Sequence, residues 1–180
     1  TGPGIDDTAV FDDHWTLLEY SGRNLACRLL GGTKGRLGLN RLLIALEESD
    51  AELRSVVAQA LGLRRGPEAL PALVHRLSVA ALSADEDLEC EEELSCVIEA
   101  LVRIANPEVN DEQVTSDAIE LLTARLHGAA EPVRLAIASV VGRIGRAKDA
   151  ALVEFMMKDP SAAVRRAAVE ALARVESGML

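Results

Sequence analysis

Apolar residues recur along this chain at helical spacing. In the stretch from Val164 to Leu172, Val164, Ala168, Ala171 and Leu172 fall at the i, i+4, i+7 and i+8 offsets that line one helix face. The same frame returns when Arg165 is laid on Arg134, bringing Val133, Ile137, Val140 and Val141 into register. It returns on Arg54, with Leu53, Val57, Ala60 and Leu61, and on Leu94, with Val97, Ala100, Leu101 and Ile104 but no arginine. A weaker copy starts at Arg23. The anchors 23, 54, 94, 134 and 165 are therefore spaced 31, 40, 40 and 31 residues apart. Repetition at this period is the mark of a helical solenoid, in which units that cannot bury their own apolar face stack on their neighbours.

A second helix is predicted between successive anchors, over about residues 38–47, 67–81, 112–127 and 147–158. In each, a pair at i,i+4 marks the inward face: Leu42 and Leu46, Leu73 and Leu77, Leu122 and Leu126, Leu152 and Met156. Pro67 and Pro160 sit where helices begin, and Asp111, Ser116 and Asp159 are candidate caps. Gly31, Gly32, Gly66, Gly128 and Gly178 fall at helix ends. The two longer spacings place insertions near residues 84–93 and 105–111, both read as loops, where added length costs little. The expected fold is all-α, an α-α superhelix of about four helical hairpins plus a final single helix. Residues 14–180 form one domain behind a flexible segment at 1–13. The unpaired last helix predicts either a longer parent array or self-association through the uncapped C-terminal end.

The seed Asp159-Pro160-x-x-x-Val164-Arg165-x-x-Ala168-x-x-Ala171-Leu172 resembles the HEAT-like repeats of bacterial proteins, the short class found in phycobilin lyases. The resemblance runs over about residues 14–177 and is most specific in the last third. It implies that the Asp and Arg of the motif tie one repeat to the next, making Arg54, Arg134, Asp159 and Arg165 structural residues between repeats. Asp159 and Arg165 are the best-matched pair. By alignment Arg54 has its acid at Glu48, whereas Arg134 faces Gly128 and has lost it. The resemblance also implies that the second helices line a concave surface, where Arg76 and Arg125, at equivalent positions, would form a short basic row with Glu154 near one end.

Composition agrees with the helical reading. Nearly half the residues are hydrophobic, mostly Ala, Leu and Val, and only Phe11, Trp15, Tyr20 and Phe155 are aromatic. Three aromatics within ten residues predict an N-terminal helix that closes the first repeat through Trp15, Leu18 and Leu25, the other reading being an exposed aromatic patch. The formal net charge of −10 is uneven. Residues 81–128 hold 13 acidic against 2 basic groups, while residues 129–180 hold 8 basic against 6 acidic. An acidic middle opposes binding to nucleic acid, and hence a DNA-repair glycosylase, and opposes binding to an anionic membrane surface.

The acidic stretch Asp85, Glu86, Asp87, Glu89, Glu91, Glu92, Glu93 is the most singular feature, with seven carboxylates in nine residues. It reads as a partner-docking loop for a basic segment, or as a solvated loop that keeps an aliphatic protein soluble. As a calcium loop it fails, because Cys90 stands where the turn glycine belongs. His14, His75 and His127 lie in different repeats and read as surface residues. Cys27, Cys90 and Cys96 lack the C-x-x-C spacing of a redox or zinc site and read as reduced thiols. Gly31-Gly32-Thr33-Lys34-Gly35 lacks the ending of a phosphate loop. The expectations are a cytoplasmic protein, 16 Arg against 3 Lys pointing to a GC-rich bacterial genome. It is expected to be a non-catalytic scaffold or adaptor for another protein, without cofactor. The alternative is a phycobilin lyase-like, chromophore-handling protein.

Overall fold

The computed structural model describes residues 15, 17–33, 35–106 and 110–177. His14, Phe11, Lys34 and the segment 1–13 lie outside the described residues. Nine α-helices are present among the described residues: α1 (Tyr20–Gly31), α2 (Arg36–Ala45), α3 (Ala51–Arg64), α4 (Leu70–Ser83), α5 (Leu88–Ala105), α6 (Glu112–Leu126), α7 (Glu131–Ile144), α8 (Ala150–Met156) and α9 (Ala162–Ser177). Short 3-10 turns at Pro67–Ala69 and Ala147–Asp149 lead into α4 and α8. The fold is an all-α solenoid.

Side chains cap the starts of α3, α5, α6 and α9. Asp50 accepts a hydrogen bond from the Leu53 amide at 2.9 Å, and Asp87 from the Cys90 amide at 2.8 Å. Asp111 does the same for Gln113. At α9 the hydroxyl of Ser161 accepts from Ala163 and Val164, while Asp159 accepts from the Ser161 amide. Ser116, expected as a cap, is instead inside α6, its hydroxyl donating to the Glu112 carbonyl. The acidic stretch is also more helical than expected. The chain turns over residues 84–87, and residues 88–93 already belong to α5, which makes it the longest helix here at 18 residues.

The first helices of the repeats, α1, α3, α5, α7 and α9, pack in sequence order as one layer, with each later first helix also leaning on the second helix before it. They run parallel. Near the N-terminal ends Arg54 of α3 meets Glu93 of α5, and Arg134 of α7 meets Asp159 just before α9. Near the C-terminal ends, glycines meet alanines. A Cβ added at Gly31 would lie 3.0 Å from the Cα of Ala60, one at Gly62 2.9 Å from the Cα of Ala100, and one at Gly142 2.9 Å from the Cβ of Ala171. These glycines stand eight residues past their anchors and the alanines six past theirs, so a small pair closes three of the four layer contacts. Between α5 and α7 the same two positions hold Val102 and Val140.

The core is continuous and aliphatic. Leu42, Leu46, Leu73, Leu77, Leu101, Leu122, Ile137 and Ile144 are fully buried, so three of the four i,i+4 pairs read from sequence face inward, while in the fourth Leu152 is half-buried and Val153 and Met156 fill the core. Trp15 is buried against the first repeat, its ring covered by the Arg41 guanidinium at 4.0 Å and its Nε1–H donating to Glu48 at 3.2 Å. Leu18 and Leu25 remain exposed and do not share that burial.

Candidate functional site

Two arginine–carboxylate seams hold the first-helix layer. Arg134 donates from Nε and Nη2 to the two oxygens of Asp159 at 2.7 and 2.9 Å, and from Nη1 to the Ala129 carbonyl. Arg165 also reaches Asp159, but at its backbone carbonyl, 2.8 Å away. The carboxylate of Asp159 is therefore engaged by the preceding repeat's arginine, and Arg165 closes the turn in front of its own helix. Hydrogen bonding from Arg134 holds the Asp159 carboxyl below its ordinary range.

The second seam corrects the sequence reading at three positions. Arg54 does not pair with the Glu48 carboxylate: its Nη1 donates to the Glu48 carbonyl, and its Nη2 donates to Glu93 at 2.7 Å. Arg76 donates from Nε to the other Glu93 oxygen. Glu93 is 1% exposed and Arg76 9%. Burial alone would push the Glu93 carboxyl up, but the two guanidiniums outweigh it and hold it below the usual carboxylate range. Glu93 is thus no part of a solvated docking loop, because one more turn of helix carries it inside the layer. Arg76 is likewise no surface residue, and the row expected from Arg76, Arg125 and Glu154 does not form: Arg125 and Glu154 stand exposed on α6 and α8.

The other six carboxylates, Asp85, Glu86, Asp87, Glu89, Glu91 and Glu92, are exposed. Three of them border a cleft of ≈ 970 Å³ between the N-terminal halves of α5 and α7. The end of α4 supplies Ala81, Ala84 and Asp85. From the α5 side come Asp87, Leu88, Glu91, Leu94 and Ile98, and α7 contributes Glu131, Pro132, Leu135, Ala136 and Ser139. Four carboxylates (Asp85, Asp87, Glu91 and Glu131) rim this cleft, no basic residue lines it, and its floor is aliphatic. Leu88 at the lip is 81% exposed and Leu135 on the far wall 37%. The cleft is wedge-shaped in origin: Glu99 and Arg143 join α5 to α7 at 2.6 Å toward their C-terminal ends, while α7 leans on α4 as well as on α5. The sequence reading named Asp85, Asp87 and Glu91 but not Leu88, Leu94, Ile98, Glu131 or Leu135, which only the packing of α5 beside α7 brings to the same cleft.

The remaining sequence candidates are dispersed. His127 stacks on Phe155 with ring centroids 6.0 Å apart, and His75 is exposed on α4. Cys27, Cys90 and Cys96 are free, and burial pushes the Cys27 thiol up to about 11. Among the described residues no group of His, Cys, Asp or Glu is placed to hold a metal ion, and no helix is long and apolar enough to cross a membrane.

Comparison with known proteins finds a family match for the last unit. Residues 151–178, which span α8 and α9, match the family model of the HEAT repeat. No curated protein matches the sequence. Among solved structures, the chain is similar to a crystal structure of an engineered protein, at 20% identity and a TM-score of 0.44, over 87% of this chain and 72% of that one. The last unit of the chain therefore matches a HEAT repeat, and helical units of the same sequence frame are stacked before it.

Proposed function

We propose that this chain is a non-catalytic protein-binding scaffold whose cleft between α5 and α7 docks a positively charged segment of a partner protein. HEAT repeats are interaction surfaces in general, and the choice of this surface rests on one observation. Asp85, Asp87, Glu91 and Glu131 surround an aliphatic floor with no lysine or arginine among the lining residues. Carboxylates at helix N-termini are favoured by the helix dipole, so the acidic rim costs the fold little. A basic partner meets it with long-range attraction and then buries apolar surface. The aliphatic lining, without an aromatic ring to stack on a tetrapyrrole, suits a peptide better than the chromophore alternative.

The test is a titration of fluorescent peptides, one rich in Lys and Leu and one rich in Glu and Leu, read by anisotropy at 50 and 300 mM salt. The basic peptide is expected to bind and to weaken with salt. The combined variant Asp85→Asn, Glu91→Gln, Glu131→Gln should weaken it roughly tenfold, at a few tenths to 1 kcal/mol per exposed pair. Equal binding of both peptides, or full binding by the triple variant, would overturn the proposal.

A further inference from the structure

We infer that the occupant of this cleft is an amphipathic basic helix, taken into the first-helix layer as an inserted layer member, an inference that rests on the docking function proposed above. The other adjacent first helices meet through a Gly–Ala contact, and the groove between α7 and α9 carries Arg143, Arg166 and Arg174, so the cleft between α5 and α7 is the one with an acidic rim and an aliphatic floor. Length fits this reading: the lining runs from Asp87 to Ile98 on the α5 side and from Glu131 to Ser139 on α7, about 12–17 Å at 1.5 Å per residue, which is room for two to three helical turns.

Backbone chemistry decides between a helix and an extended segment. Both walls are helices whose backbone groups bond internally, so neither offers a strand edge to pair with. The polar side chains of the lining are carboxylates and Ser139. Carboxylates can accept from a guest's N–H groups but cannot satisfy its carbonyls. An extended guest would bury unpaired carbonyls over Leu94, Ile98 and Leu135, whereas a helix satisfies its own backbone. The pattern of the guest follows. Apolar side chains at i, i+3 or i+4, and i+7 would cover Leu94, Ile98 and Leu135. Lysines or arginines on one flank would face Asp87 and Glu91, and on the other Glu131.

The test uses two synthetic peptides of identical Leu, Lys and Ala composition and equal charge. One has leucines at helical spacing and the other has them alternating. Anisotropy gives affinity, and circular dichroism at 222 nm gives helix gained on mixing. The helical-pattern peptide is expected to bind at least tenfold tighter and to gain helix on binding. Leu135→Asp should remove that advantage, as should Leu88→Asp at the lip, where no buried packing is at risk. Equal, salt-sensitive binding of both peptides would overturn the helix and leave the acidic docking function standing. No binding of either would overturn both. A helical advantage untouched by both substitutions would place the helix elsewhere and also overturn the inference.

Discussion

Removing Glu93 tests whether the layer is locked by charge. Glu93→Ala deletes a carboxylate that is 1% exposed and accepts hydrogen bonds from Arg54 and Arg76, both within the buried range. Arg54 keeps its bond to the Glu48 carbonyl. Arg76 loses its ion pair with Glu93, the one it makes among the described residues. Each lost charge-assisted bond is worth about 1.5–3 kcal/mol, and breaking a buried pair from one side costs about 3–5 kcal/mol in all. The lower half of that range applies here, because Arg54 retains a partner and each arginine side chain keeps about a tenth of its surface in water. In a chain of this size about 3–4 kcal/mol corresponds to a fall of roughly 6–16 °C in the thermal midpoint, at about 2–4 °C per kcal/mol. The assay is thermal and urea unfolding followed at 222 nm, with Glu92→Ala, an exposed neighbour, expected within about 0.5 kcal/mol of the parent. The combined change R54M, R76M, E93L should recover most of the loss, because no charge is then left buried without its partner. A Glu93→Ala protein within 1 kcal/mol of the parent, or a triple variant no better than it, would refute the reasoning.

Acid should loosen the same seams. The carboxyls of Glu93 and Asp159 are held below their ordinary values, so the stability they contribute is full above about pH 5 and is lost as pH falls through and below 4; unfolding midpoints at pH 7 and pH 3.5 should differ less for Glu93→Gln than for the parent. Gly62→Ala should destabilise by about 1–3 kcal/mol even though alanine is the better helix former by about 1 kcal/mol, because its Cβ would meet the Ala100 backbone at 2.9 Å; urea midpoints read this directly. Cys27, with its thiol pushed up to about 11 and fully buried, should resist iodoacetamide at pH 8 while half-buried Cys90 is alkylated, as mass spectrometry of the native protein after a short exposure will report.

The chain's own pattern determined the architecture. Period, helix pairs and inward leucines are local facts, because an aliphatic stripe at i,i+4 must be buried wherever it lies, and stacking is the one way short hairpins achieve it. Asp111 was legible as a cap for the same reason, since a cap serves the residues that follow it, whereas the caps at Asp50 and Asp87 were not read from the sequence. What the sequence left open was where each charge ends up. Glu93 falls one residue before the anchor at 94, where the other repeats hold Leu53, Val133 and Val164, so the repeat frame already turned it inward; the frame could not name its partners Arg54 and Arg76, which lie 39 and 17 residues earlier. Asp159 was legible as a tie between repeats, but its pairing with Arg134 rather than Arg165 depends on the parallel stacking of α7 against α9. The cleft is the most strongly tertiary feature of all. It lies where α5 and α7, joined toward their C-terminal ends by Glu99 and Arg143, open toward their N-terminal ends, with α4 reaching across to α7. No stretch of sequence contains those three elements together, and only packing could bring Glu131 and Leu135 opposite Asp87 and Glu91.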